Sequence, residues 1–445
     1  MKKSFQLMPL LVFFLLGIKG TAQDKTFVVF DQILFYDGYA AVVDFPVPDN
    51  VIRQRNDLYS KKLTSTIVQD LGDELTLNIK IKAACDNYDR IGNVSLAFVP
   101  KNNVSYIPAE VQHIELGRFI TPFMNKNKLP DEVPYTFNID NVVSILKDSE
   151  LNSLYDFWIE LEVFGVPYAA QTQVSGCSGR NDVFYGTVEL VTNTISEATS
   201  NNYILPLNFK KDLNNYKEGA SDEIGETIRT INFDLPEAVT NANLYLITSN
   251  HGANEGGEEY NRRNHYIYFD DILKLTYKPG EVSCEPYRKY NTQANGIYGL
   301  SPRTNSQWQS FSNWCPGAII PIRKISLGNL NAGQHTFKIS VPDAVFNQEQ
   351  GYIPVSLYLQ GTTSNLNVQK KSKVACNLFP NPTHNTFEVN SSINIEKIKV
   401  FNLLGQVVLE QKGNTVDLSN VEKGIYVVSI TLESNEIVSE KVIKN

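Results

Sequence analysis

The chain has 445 residues, 42% of them hydrophobic and 11% aromatic, which is too long for one hydrophobic core and too apolar for disorder. Two or three packed domains are expected. The net charge of -8 comes with Lys and Arg scattered rather than gathered on a face, which argues against a nucleic-acid partner and for a mildly acidic soluble protein.

Lys2 and Lys3 precede an apolar run over residues 7–17 and small residues at 20–22. A run that short, after a basic start, reads as a signal peptide over residues 1–22, so the mature protein is expected to be exported. Export permits disulfides. Of the five cysteines, pairing within halves gives Cys85 with Cys177 and Cys284 with Cys315, and leaves Cys376 over. No CxxC pair is present to suggest a zinc cage or a thioredoxin-like site.

Residues 24–195 read as short strands at 26–30, 74–82, 94–99, 157–164 and 183–191, with apolar and polar residues alternating between turn residues. One helix is expected at 141–151, capped by Asp140 or Asn141. After a small polar stretch at 196–202, strands resume at 226–232, 242–248, 266–269, 272–277, 319–325 and 333–341. With no helical layer between the sets, the fold class is all-β, two antiparallel jelly-roll β-sandwiches in series at 24–195 and 203–360. A polar linker at 361–375 leads to a small all-β module at 376–445.

That module carries Phe379-Pro-Asn-Pro382, then Ile398-Lys-Val-Phe-Asn-Leu-Leu-Gly-Gln-Val-Val408, Val416-Asp-Leu-Ser419 and Lys423-Gly-Ile-Tyr426. In order and content these resemble the sorting domain read by the type IX secretion system. The resemblance implies passage across the outer membrane, with the secretion machinery as a partner and a secreted or cell-surface destination.

The densest chemistry lies at residues 251–271. His251 and His265, Glu258 and Glu259, Arg262 and Arg263, and glycines 252, 256 and 257 share one loop leading into a strand. Glycines there allow sharp turns, and adjacent glutamates on an extended run point to opposite sides. Three readings are open: a metal held by His251, a glutamate and His265; a solvated ion-pair network; or a carboxylate site for hydrolysis or sugar recognition. The third gains from the knot Cys85-Asp-Asn-Tyr-Asp-Arg90 and from Glu160 and Glu162, which share one strand face near Trp158, although that face could simply be the wet side of a sheet.

Those residues, with Leu116-Gly-Arg-Phe-Ile-Thr-Pro-Phe123 and Asn313-Trp-Cys-Pro-Gly317, resemble the bacterial peptide-N-glycosidase F family over roughly residues 60–345. The resemblance implies two jelly rolls side by side with the active site in the groove between them. It also implies a cofactor-free amidase that releases intact N-glycans from N-glycoproteins and turns asparagine into aspartate. Position by position, Asp89 matches the essential acid, Glu259 the second carboxylate and Glu162 the third, with Glu160 as its alternative. Arg90 matches a substrate-binding arginine, and Arg118 lies in a motif open to a structural role. Trp158, Tyr260, Arg263, His251 and Trp314 are further substrate-binding candidates, and Cys284–Cys315 matches a family disulfide.

The chain departs from the family pattern in three places. No arginine precedes Trp314 within residues 306–313, no cysteine lies five residues before Cys85, and none flanks Glu259. A monomer is expected. The alternatives are a non-catalytic glycan-binding or adhesion protein on the same scaffold and, more weakly given only three methionines, a copper monooxygenase.

Overall fold

The computed structural model describes residues 24–193, 201–253, 257–363, 376–391, 393–433 and 437–445. The expected signal peptide, most of the polar stretch at 196–202 and most of the linker lie outside them. The described chain is mostly β and forms two jelly-roll sandwiches followed by a smaller β-module.

In the first sandwich one sheet runs in the order Lys25–Tyr36, Asp182–Thr192, Leu75–Ala83, Glu132–Asn138. Leu75–Ala83 buries every second residue, the period-two pattern of a strand with one face on a core. The facing sheet has six strands, with Gln112–Ile120, Ile91–Pro100 and Tyr155–Val163 at its centre. Its far edge strand, Ile319–Ile320, comes from the second half of the chain and pairs with Phe119 and Arg118. The expected strand at 319–325 is therefore two: this edge strand, and Arg323–Leu330 in the second sandwich, separated by Pro321.

The expected helix at 141–151 is also two, Asp140–Leu146 and Ser149–Leu154. Asp148 between them accepts from the backbone N–H of Glu150 and Leu151, which starts a new helix where the old one would continue. Neither Asp140 nor Asn141 is a cap; Asp140 accepts instead from the Leu75 backbone N–H at 2.6 Å.

The second sandwich pairs the sheet Asn202–Leu213, Ile353–Thr363, Val239–Thr248, Arg323–Leu330 with the sheet Ile228–Leu235, Gly333–Ser340, His265–Phe269, Ile272–Tyr277. Pro206 and the Lys210-Lys211-Asp212 end hide its first strand from pattern reading.

The two sandwiches meet through polar groups. Arg118, 1% exposed, is clamped by Glu115 at 2.6 and 2.8 Å and reaches Ser249 Oγ and the Pro354 carbonyl of the second sandwich at 3.0 and 2.8 Å. Nearby, Tyr245 and Tyr358 stack at 4.8 Å and are buried with the first sandwich's core. The C-terminal module has its own apolar cluster, in which Cys376 is buried and unpaired.

Candidate active site

Two loops, one from each sandwich, build the site. In the first, Asp86 is fully buried and accepts from the backbone N–H of Tyr88 at 2.9 Å and of Val166 at 2.7 Å, and from Arg90 Nε at 2.6 Å. This folds the Asp86–Arg90 turn on itself, with Asp89 presented just ahead of the strand Ile91–Pro100. The Cys85–Cys177 disulfide and an Asn87–Gln173 bond at 2.8 Å pin the turn to the short helix Ala170–Gln173.

In the second loop, Gly252 sits at φ 132, where a Cβ would come within 2.9 Å of Gly351 Cα. Its N–H donates to Glu259 Oε2 at 3.3 Å. Asn313 Nδ2 donates to the carbonyls of Glu258, Glu259 and Asn261, so the neighbour of Trp314 holds the loop in shape. The two glutamates lie in a turn at 258–260 rather than on the extended run considered from sequence, the strand beginning only at His265, and their side chains still part. Glu258 turns inward to Arg263 at 3.0 Å and to the Val345 N–H at 2.7 Å. Glu259, itself buried, accepts a hydrogen bond from the Tyr260 phenol, and its charge acts on Asp89.

The electrostatics follow from that arrangement. Burial, and then the Glu259 charge, push the Asp89 carboxyl up to about 8 against the pull of Arg90. Burial also raises Glu259, opposed by the Tyr260 and Gly252 bonds. A carboxyl raised this way beside a second carboxyl group, and still partly exposed, suits a proton donor in acid–base hydrolysis.

Beside the pair opens a cleft of about 400 Å³. Asn87, Tyr88, Phe123 and Gln173 form one wall; Tyr260, Phe311 and residues 293–297 form the other, and no lining side chain is charged. Cys284–Cys315 braces the second wall. Both expected disulfides are present.

Other candidates stand elsewhere. His251 bonds Ser249 Oγ at 2.7 Å, and burial with the Arg118 charge holds it down to about 3, hence neutral. His265 faces the Arg263 carbonyl at 3.1 Å and stacks on Tyr277 at 4.8 Å. Among the described residues no group of three or more His, Cys, Asp or Glu could hold a metal ion. Trp314 is buried, donating to the Asn250 carbonyl at 2.9 Å and tilting against His251. Arg263 is occupied by Glu258.

Glu160 is not on a wet face: 3% exposed, it bonds the Tyr106 hydroxyl at 2.8 Å and faces His113 at 3.1 Å, with Phe209 of the second sandwich stacked on that histidine. Trp158 packs edge-on against Tyr106 in the same layer. Glu162 pairs with Arg55 at 2.8 Å and with Lys210, and the two cations hold its carboxyl below its usual range despite burial. These residues sit along the seam between the sandwiches, outside the cleft lining.

Sequence reading passed over Asp86, Asn313, Phe123, Phe311 and the wall at 293–297. Asp86, Phe123 and Asn313 lie inside the motifs at 85–90, 116–123 and 313–317; residues 293–297 carry no local pattern.

The chain matches the family models "Peptide-N-glycosidase F, N terminal" over residues 26–178 and "Peptide-N-glycosidase F, C terminal" over 216–360, and "Secretion system C-terminal sorting domain" over 377–445. Among solved structures it is similar to PNGF-II, with 22% identity, a TM-score of 0.55, and 77% of this chain and 66% of that one covered. It is also similar to PNGase F, a glycosylasparaginase from Flavobacterium meningosepticum, with 14% identity, a TM-score of 0.49, and 77% and 96% covered. A curated relative, ulvan lyase NLR42 from Nonlabens ulvanivorans, is 34% identical over 93 residues, 20% of this chain. The chain spans just under two thirds of PNGF-II and 17% of the ulvan lyase.

Proposed function

Since the chain belongs to the peptide-N-glycosidase F family, we propose that it is a peptide-N4-(N-acetyl-β-glucosaminyl)asparagine amidase acting on N-glycoproteins. Its sorting domain consigns it to type IX export, so it is secreted or held at the cell surface.

In this reading the sugar lies in the uncharged cleft, where carboxamides meet hydroxyls and aromatic faces meet the pyranose ring. The asparagine side-chain amide lies between Asp89 and Glu259. Glu259 orients a water and takes its proton as the oxygen adds to the amide carbon. Asp89 donates its proton to the leaving nitrogen as the C–N bond breaks, giving a glycosylamine and an aspartate side chain. Arg90, fixed by Asp86, stands beside the developing negative charge. Glu162, whose oxygens are taken by Arg55, Lys210 and Asn93, acts through the seam as a positioning residue.

The observation that carries this is that loops from the two sandwiches bring Asp89 and Glu259 within electrostatic reach of each other beside an uncharged cleft. Incubation with a denatured N-glycoprotein, followed by mass spectrometry, should show released glycan and an Asn to Asp mass change at each site. Binding of glycan without that change would replace the hydrolase with a non-catalytic glycan-binding protein.

A further inference from the structure

On the first sandwich, residues 37–50 run without helix or strand and leave Tyr39 72% exposed, yet the loop is fixed. Asn56, itself buried, donates to the carbonyls of Asp37 and Ala41 at 2.9 and 3.1 Å and accepts from the Val43 N–H at 3.0 Å. Arg53 donates to the carbonyls of Val43 and Phe45, both at 2.8 Å. An irregular segment held this firmly while showing aromatic surface is organised for contact before any partner arrives.

What it shows is a shelf. Tyr39 packs edge-on against Phe164 at 5.2 Å. Tyr168, 57% exposed, stands close by with its hydroxyl on Asp37. Gly38 lies so close to Phe164 that a Cβ would come within 2.6 Å of the ring.

The shelf is tied to the site by one side chain. Asp86 holds both Arg90 and the Val166 N–H, two residues after Phe164. The Arg90 guanidinium lies 5.5 Å from the Tyr88 ring, which lines the cleft, and 5.9 Å from the Phe164 ring, which belongs to the shelf. Arg90 thus joins the two surfaces, and the amide placed beside it has one substituent for each.

We propose that the shelf of Tyr39, Phe164 and Tyr168 binds the polypeptide on the acyl side of the scissile amide, in an extended, unfolded stretch. The proposal rests on the amidase reading for its choice of occupant: the sugar fills the cleft, so the protein part of the substrate leaves over Arg90 onto the shelf. Tyrosines there offer broad, stiff contact area with a hydroxyl for backbone groups, and suit many sequences rather than one.

The test uses the full chain and the double variant Tyr39→Ser, Tyr168→Ser, whose side chains are exposed and whose loss leaves the core untouched; Tyr168→Ser alone is the second variant. The first probe is a fluorescein-labelled, unglycosylated peptide with a central asparagine, read by anisotropy. Its Kd should weaken about tenfold in the double variant, the combined loss of two exposed aromatic contacts, and by less in Tyr168→Ser alone. In parallel, the ratio of kcat/KM for a long glycopeptide to that for one with a single residue on each side of the asparagine should fall about tenfold.

An unchanged peptide Kd, or no peptide binding by the wild-type chain, overturns the shelf. So does a variant that loses affinity for free N-glycan instead of peptide. If the wild type cleaves neither glycopeptide while the variant still loses peptide binding, the shelf stands and the amidase reading falls.

Discussion

Asp89 holds its proton because burial and the Glu259 charge outweigh Arg90. Its folded value of about 8 lies above the roughly 4 of an unfolded aspartate, so the native state binds the extra proton between those values. Stability contributed by this group is therefore present below about pH 4 and lost as pH rises towards 8. Asp89→Asn should raise the Tm of the protein above pH 8, change it little below pH 4, and lower kcat/KM on a denatured glycoprotein by a hundredfold or more. Calorimetry across that range, with glycan release on the same samples, checks both; retained activity would remove Asp89 from the chemistry. His251 has the opposite sign. Its folded value of about 3 lies below the usual histidine value, so its stability contribution is present above about pH 6.5 and lost on acidification. His251→Gln should accordingly flatten the acid side of the Tm profile between about pH 6.5 and 3.

Among the elements, the strand Asn202–Leu213 shows how a local irregularity serves the seam. Its register shifts between Asn208 and Lys211, and Lys210 adopts φ 47 in the left-handed region. That bulge turns Lys210 onto Glu162 and Asn93 of the first sandwich, while its N–H donates to Ser356 Oγ at 3.0 Å. Glu162→Gln should destabilise the chain by about 2 kcal/mol in urea unfolding and lower kcat less than Asp89→Asn does. Equal losses of kcat would instead make Glu162 a group acting on the amide. Arg118→Ala strips Glu115 of its partner in a buried place and should cost about 3–5 kcal/mol by the same measurement. The insertion between Ile272–Tyr277 and Ile319–Ile320 supplies the second wall of the cleft and is closed by Cys284–Cys315 across 31 residues. Cys284→Ser with Cys315→Ser should cost about 4 kcal/mol and raise KM, as that wall loosens.

At the scale of the whole molecule, each sandwich supplies one of the two carboxylates of the proposed site. The edge strand Ile319–Ile320, added to the first sandwich's sheet, helps to hold the halves in register. The C-terminal module has an apolar cluster of its own. Deleting residues 376–445 should therefore leave the Tm of the sandwiches within a few degrees of the full chain, while the protein accumulates in the periplasm instead of the medium or cell surface. Fractionation with scanning calorimetry reads both outcomes.

The sequence by itself determined what depends on neighbours along the chain. Period-two alternation made Leu75–Ala83 legible and Pro and Gly motifs marked the sorting module; pairing within halves put the two disulfides forward, and only the structure fixed them. It also put Asp89 and Glu259 forward, through the residues around them. The resemblance pointed to Glu259, but the residue types alone left open which of Glu258 and Glu259 would face the groove, since both lie in one turn at 258–260. That was decided by Arg263 and Val345 drawing Glu258 inward. Nor could spacing say that Glu160 would be buried against Tyr106 and His113, or that Glu162 would meet Lys210 across a seam, since those partners lie far away in sequence. Burial and charge pairing across the two sandwiches are properties of the assembled fold, and they alone separate the carboxylates at the cleft from those that hold the halves together.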